Sequence, residues 1–352
     1  MSRFWSPLTA SLDPYVPGEQ PKDKRYIKLN TNENPYPPSP LAIEAIRAAA
    51  GDDLRLYPDP TCDDLRETLA AEYGLPKNRV FVGNGSDEVL AFAFPAFFSP
   101  ADTILFPDIT YSFYPVYASL YGLTYRTVPT DEGFRIDPDH YRAPNGGVVL
   151  PNPNAPTTLP LPLEGIKRIL DANADRVVIV DEAYIDFGAE SAVPLVSEYP
   201  NLLVVQTLSK SRSLAGLRVG MAFGQPELID GLERIKNSFN SYTLDRPALA
   251  GAIAAIKDKA YFEETRRKVV STRDRTSEGL KEIGFEVLDS KANFLFIAHR
   301  SVPAQRLFAE LKDRGILVRY FNKPRIDNYL RVSIGTDEEM DAFLTAVKDI
   351  VT

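Results

Sequence analysis

Through the middle of the chain, short apolar runs alternate with stretches whose apolar residues recur every three or four positions. The runs Arg79–Val82, Asp102–Phe106, Gly147–Leu150, Val177–Val180, Leu202–Val205 and Val219–Phe223 are rich in valine, leucine and phenylalanine and predict buried strands. Helical spacing from Gly85 through Phe98 and from Leu163 to Ala172 predicts helices between them, and another is expected to begin within Pro107–Tyr114. This alternation, from about residue 79 to residue 223, predicts an α/β fold on a mainly parallel, doubly wound sheet. Leu41–Ala50 and Asp63–Glu72 add helices upstream. After Pro226 the pattern changes to long helices, Pro226–Asn237, Pro247–Asp258 and Tyr261–Ile283. A smaller α+β unit follows, with strands at Phe285–Leu288, Asn293–Ala298, Ile316–Val318 and Tyr329–Ile334 and helices at Pro303–Arg314 and Asp337–Val351. Pro7, Pro14, Pro17, Pro21, Pro35, Pro37 and Pro38 forbid a long helix at the start and predict an extended arm. The expected organisation is an arm over 1–39 that joins the small unit, a large domain over 40–245 and a small domain over 246–352, with the site in the cleft between the domains.

Composition narrows the function. With 352 residues, 44% of them hydrophobic, the chain can bury one large core and a smaller one. A net charge of −8 with no Lys/Arg block argues against nucleic acid as a partner. The single cysteine, Cys62, excludes an internal disulfide framework, and His140 and His299 lie far from any cluster with metal-ligand spacing, so no metal site is expected. No secretory pattern opens the chain and no apolar run is long enough to span a bilayer, which makes the cytoplasm the expected location and a membrane an unexpected partner.

Two strand ends carry candidate chemistry. Leu202–Val205 leads into Thr207-Leu208-Ser209-Lys210-Ser211-Arg212-Ser213-Leu214-Ala215-Gly216-Leu217-Arg218, which puts Lys210 on a loop among hydroxyls with Arg218 nearby; a lysine held in this way suits Schiff-base chemistry. Val177–Val180 runs into Asp181-Glu182-Ala183-Tyr184, which puts a carboxylate at a strand end. Ligands collect outside the carboxyl ends of open α/β sheets, so Asp181 and Lys210 share one crevice if their strands are neighbours. An amine and an acid in one site suit pyridoxal phosphate, whose aldehyde needs the lysine and whose ring nitrogen needs the acid. A third strand, Arg79–Val82, delivers Gly83-Asn84-Gly85-Ser86-Asp87-Glu88 at a helix start, a cup whose free amides can hold a phosphate.

Ser-Lys with an arginine eight residues on, and Asp-Glu-Ala-Tyr upstream, resembles the fold-type I pyridoxal-phosphate aminotransferases. Leu12-Asp13-Pro14-Tyr15-Val16-Pro17-Gly18 and Leu29-Asn30-Thr31-Asn32-Glu33-Asn34-Pro35 resemble, more narrowly, the N-terminal segments of histidinol-phosphate aminotransferases. The likeness runs from about Tyr15 to Gly335. It implies that Lys210, Asp181 and Tyr184 are catalytic, that Tyr111 stacks on the cofactor, and that Gly85, Ser86, Asp87, Ser209 and Arg218 hold its phosphate. Tyr57, in Arg55-Leu56-Tyr57-Pro58-Asp59-Pro60, would reach the partner subunit's cofactor, which implies a homodimer. The family commonly has Asn-Pro-Thr-Gly where this chain has Asn154-Ala155-Pro156-Thr157-Thr158, so the phenolate-side asparagine is expected at Asn154, displaced by one place. Arg331 aligns with the family's carboxylate-binding arginine and Arg319 with the one that meets the phosphate of histidinol phosphate, with Tyr15 and Asn32 beside the substrate. The implied activity is amino transfer between histidinol phosphate and 2-oxoglutarate or glutamate. An aromatic amino-acid aminotransferase and a threonine-phosphate decarboxylase-like enzyme are the alternatives, while a cofactor-sensing regulator would need a DNA-binding domain that this acidic chain has no room for.

Overall fold

The computed structural model describes residues 2–352. After a one-turn helix α1 (Pro7–Ser11), the proline-rich arm runs extended to a short strand β1 (Ile27–Lys28). Helices α2 (Pro40–Ala49) and α3 (Asp63–Tyr73) follow, α2 opening where the Ser39 hydroxyl accepts the amides of Leu41 and Ala42. The alternating segment folds as β2 (Val80–Asn84), α4 (Gly85–Phe97), β3 (Thr103–Pro107), α5 (Tyr114–Leu120), β4 (Thr124–Val128), β5 (Val148–Pro151), α6 (Leu163–Ala172), β6 (Val178–Asp181), β7 (Leu202–Thr207) and β8 (Val219–Phe223). These strands form one seven-stranded sheet in the order β2-β8-β7-β6-β5-β3-β4. From β7 to β4 the neighbours are parallel, whereas β8 is antiparallel to both β7 and β2. The exception has a local cause: the loop from Thr207 to Val219 holds only a 3-10 turn, too little chain for the crossover that a parallel partner requires.

Alternate residues of each strand face opposite layers. Val178, Val180, Leu202 and Val204 pack in a core with α3, α6 and α8 (Arg246–Lys257), and Ile179, Leu203 and Val205 pack in a core with α4 and α5. Both faces are covered, which is why these strands read as unbroken apolar runs. β4 departs from expectation: Thr124 to Thr127 are exposed at the sheet edge, so the pattern that reveals the other strands is missing there. α5 starts only at Tyr114, leaving residues 108–113 as a loop over the strand ends.

Beyond α7 (Pro226–Phe239), α8 and the long α9 (Lys259–Glu282), the chain makes β9 (Phe285–Val287), β10 (Phe294–His299), α10 (Ala304–Asp313), β11 (Ile316–Leu317), β12 (Arg319–Tyr320), β13 (Leu330–Ser333) and α11 (Asp337–Val351). An antiparallel sheet, β12-β13-β10-β9, forms with its own core around Leu295, Val332, Met340 and Phe343. The strand expected over Ile316–Val318 breaks at Val318, and its first half pairs in parallel with β1 of the arm. α11 opens with a reciprocal capping box between Thr336 and Glu339. Among the described residues no helix is long and apolar enough to cross a membrane.

Candidate active site

Pairing of β6 with β7, Asp181 opposite Val205, brings the two strand ends together. Above them lies a cavity of about 660 Å³ between the two sheets, lined from below by Ser86, Asp87, Tyr111, Asp181, Ser209, Lys210 and Arg218. Tyr15, Asn32, Tyr184, Arg319 and Arg331 line it from the arm, from the segment after β6 and from the small sheet. A position at the carboxyl ends of parallel strands is the one that this topology favours for a ligand.

The floor is an acid held in place. One carboxylate oxygen of Asp181 accepts from the Tyr114 hydroxyl at 2.8 Å and the other from the Ala183 amide at 3.3 Å. Burial pushes this carboxyl up to about 6, although Tyr114 and Ala183 pull the other way. Lys210 faces it on the neighbouring loop, its Nζ 5.7 Å from the centre of the Tyr184 ring. The Tyr184 hydroxyl accepts from Asn32 at 3.0 Å, and Asn34 donates to the Lys210 carbonyl at 3.0 Å, so the arm braces both residues. Ser333 in turn takes the Asn32 amide at 2.8 Å, which ties the arm to β13.

At the other end of the floor, α4 starts on Asn84 with no side-chain cap, so the amides of its first turn are free to meet an anion. Asp87 does not cap the helix. Its carboxylate takes Arg218 at 2.8 Å and the Tyr111 hydroxyl at 3.1 Å, which fixes a cation and an aromatic ring beside the helix start. Gly85 is required here: its φ is +78°, and a Cβ would lie 2.4 Å from the Arg218 guanidinium. Gly85 supports the cup from behind and does not line the cavity.

Two guanidiniums face the cavity without a carboxylate partner among the described residues. Arg319 donates only to the Val16 and Pro17 carbonyls, at 3.3 and 3.5 Å, and Arg331 to the Asn30 carbonyl at 2.9 Å, with its Nε buried and unpartnered. Burial pulls the Arg331 guanidinium below the usual arginine range, and the charge of Arg319 adds to the shift. A buried cation without an acid is costly, and an anionic ligand is what would offset that cost.

Two expected residues stand elsewhere. Asn154 does not line the cavity: its Nδ2 donates to the Ile109 carbonyl at 2.8 Å, bracing the wall, while Ala155 takes the lining position. Backbone hydrogen bonds pin Asn154 in the wall: its amide donates to the Leu159 carbonyl at 2.9 Å and its carbonyl accepts from the Thr158 amide at 2.8 Å. Tyr57 is 76% exposed, stacked on Tyr242 at 4.5 Å, and does not line this chain's own cavity. Tyr114 and Asn34, by contrast, escaped sequence reasoning; the only signal for Tyr114 is its place three residues after Tyr111, on the first turn of α5.

These groups suit a flat, phosphorylated aldehyde: an amine to condense with it, an acid below a ring, an aromatic wall and an uncapped helix start for its phosphate. Comparison with known proteins points the same way. A histidinol-phosphate aminotransferase of Clostridium acetobutylicum is 62% identical over 351 residues, covering 100% of both chains, and histidinol-phosphate aminotransferase 1 of Hydrogenovibrio crunogenus is 57% identical over 100% of this chain and 99% of its own. Among solved structures, the histidinol-phosphate aminotransferase of Sinorhizobium meliloti in complex with pyridoxal-5'-phosphate superposes with a TM-score of 0.90 at 26% identity, covering 100% of this chain and 98% of that one. The family described as aminotransferase class I and II matches residues 24–347, and the chain belongs to it.

Proposed function

We propose that this chain is a pyridoxal-phosphate-dependent aminotransferase that moves an amino group between histidinol phosphate and 2-oxoglutarate, a reaction of histidine biosynthesis. The observation that carries the reading is the cavity's polarity: Lys210 and Asp181 at one end, two acid-free guanidiniums at the other. Full-length relatives named for the same activity, at 57–62% identity, support it.

Pyridoxal phosphate, when bound, supplies an aldehyde for the donor amine and a cationic ring that withdraws electrons. Lys210 is the residue that would hold the aldehyde carbon. Its Nζ, once free, is the general base that takes the proton from the donor's amine-bearing carbon and later gives one up. Asp181 keeps the ring nitrogen protonated through its carboxylate, which Tyr114 orients. The Tyr184 hydroxyl and Asn32 cover the phenolate side, and Ala155 leaves that role without an amide at its own position. Amides of Ser86 and Asp87, with Ser209 and Arg218, hold the cofactor phosphate. Arg319 and Tyr15 meet the donor's phosphate; Arg331 serves chiefly the carboxylate of glutamate and 2-oxoglutarate, since histidinol phosphate has none.

The exposed Tyr57, with Leu54, Leu56, Phe239 and Tyr242 also exposed, supports a homodimer in which Tyr57 enters the partner's site. The division between the two domains falls nearer Asp258 than 245, because Ala248, Ala252, Ala255 and Ile256 of α8 pack in the large sheet's core. The test of function is direct. Purified enzyme is assayed for amino transfer to 2-oxoglutarate from histidinol phosphate, phenylalanine and tyrosine, with carbon dioxide release from threonine phosphate measured in parallel. Histidinol phosphate is expected to have the highest kcat/KM. Preference for an aromatic donor, or release of carbon dioxide, overturns the reading.

A further inference from the structure

The loop between β12 and β13 leaves the small sheet, crosses the cavity and reaches the large one. Phe321, Lys323, Pro324, Arg325 and Ile326 all line the cavity wall. Ile326 is buried with Ile109, Phe134 and Phe296, a cluster drawn from both sheets. Arg325, with φ +70°, sends its guanidinium to Asp108 at 2.7 Å, to the Thr130 hydroxyl at 3.2 Å and to the Asp131 carbonyl, over the face of Phe134 at 5.5 Å. Asp108 is fixed from its own side: its other oxygen takes the Ile109 and Thr130 amides, both at 2.9 Å, and the Thr130 hydroxyl at 3.0 Å. Asp108 lies two residues before Thr110 and three before Tyr111, at the end of β3.

A left-handed arginine is an unfavourable backbone choice, and it persists only where the surroundings over-determine it. Here the fork has three partners on the segments that follow β3 and β4 of the large sheet, so the loop is bolted at a set distance from the Tyr111 side of the floor. The same loop begins one residue after Tyr320, in the strand that carries Arg319. Lys323, exposed at the rim, makes no ion pair among the described residues. Bolting the loop thus fixes how far the cationic wall stands from Lys210.

We propose that Arg325 is a positioning residue which, through Asp108, sets the length of the cavity and so selects donors that carry an anion at the far end. This rests on the reading of Arg319 as the residue that meets the donor's phosphate. Glutamate is held by Arg331 on the inner strand β13, which β10 and the arm keep in place independently of the loop. A phosphorylated donor must also reach Arg319 on the edge strand β12, from which the bolted loop departs, so it depends more on the bolt.

The experiment compares the parent with Arg325→Ala, Arg325→Lys, Asp108→Asn and the double variant Arg325→Ala/Asp108→Asn, each as cofactor-loaded enzyme. Single-turnover reaction with histidinol phosphate is expected to fall at least about tenfold in kcat/KM for Arg325→Ala, mainly through KM, while glutamate stays within about threefold. Arg325→Lys should recover part of the loss, because an ammonium can reach Asp108 but cannot fork to Thr130 and Asp131. The bolt itself is read without any substrate: amide exchange over residues 321–329 should accelerate at least about tenfold in Arg325→Ala and in Asp108→Asn, and little further in the double variant. Equal losses for both donors, or no loss for either, overturn the proposal, and so does unchanged exchange. Should the parent itself not use histidinol phosphate, the functional reading fails on its own, and the exchange data still decide whether the bolt exists.

Discussion

Asp181 is an acid placed where acids are disfavoured, and that has a measurable price. Its carboxyl is raised to about 6 by burial, so the folded chain without cofactor keeps it protonated to a higher pH than the unfolded chain does. Stability from the protonated form is fully present below the unfolded value near 3.8 and is lost as pH rises through about 6, on the order of 3 kcal/mol by linkage. Asp181→Asn carries no charge and escapes this loss. Stripped of cofactor, the variant is therefore expected to unfold at a higher temperature than the parent at pH 8, with the advantage shrinking as pH falls to 4; calorimetry across that range checks it. Its activity is expected to drop by well over tenfold, because a neutral amide cannot hold a ring proton; a variant within about tenfold, roughly 1.4 kcal/mol of barrier, would contradict the role. Arg319→Ala is expected to raise KM for histidinol phosphate by one to two orders of magnitude, from the roughly 1.5 to 3 kcal/mol of a charged hydrogen bond, and to harm glutamate less. At this scale the chain order pointed to Lys210 and Asp181, because each follows an apolar run that reads as a strand, and to Arg218, which stands just before the next run, Val219–Phe223. It misled on Asn154, since one residue of register in a proline-rich turn decides which side chain faces the cavity and nothing in the local pattern records that choice.

The start of α4 and the middle of β8 form one joint. Gly220 pairs with Gly83 on β2, and a Cβ there would lie 2.3 Å from the backbone carbon of Gly85 and 2.4 Å from the amide nitrogen of Ser86. Backbone cannot yield as a flexible side chain can, so Gly220→Ala must push the helix start off the sheet. It is expected to cost about 2 kcal/mol or more in denaturant unfolding and to weaken cofactor retention after dialysis, with absorbance of the bound cofactor as the readout. Elements buried on both faces, β5, β6 and β7, were plain in the sequence as apolar runs. The edge strand β4 was not, because four of its five residues meet water and its register comes from pairing with β3.

For the whole molecule, the side chains of Leu54, Leu56, Tyr57, Phe239 and Tyr242 stay exposed although Tyr57 stacks on Tyr242 and Phe239 meets Phe92, and exposed apolar side chains of this size fit an interface with a second copy of the chain. Arg246 holds the Leu56 and Tyr57 carbonyls, at 3.2 and 3.0 Å, and the buried Lys236 holds the Pro60 carbonyl at 2.9 Å, so the Tyr57 turn is presented rigidly. Sedimentation is expected to show a dimer at assay concentrations, and a fully active monomer would refute the shared site. Tyr57→Phe should keep the dimer and lower cofactor affinity by about tenfold, the worth of one hydroxyl donated to a phosphate; equilibrium titration of the cofactor-free protein checks it.

The chain's own pattern determined the sheet-forming runs, the helices between them, the proline-stiffened arm and the residues that end each strand, because burial on two faces and fixed backbone angles leave marks within a few neighbouring positions. Tertiary structure alone decided the strand order that places Asp181 beside Lys210, the hold of Tyr114 on Asp181, and the bridge from Arg325 to Asp108. Each of these joins residues far apart in the chain, and the free energy that selects them lies in the contact itself, which no local window contains.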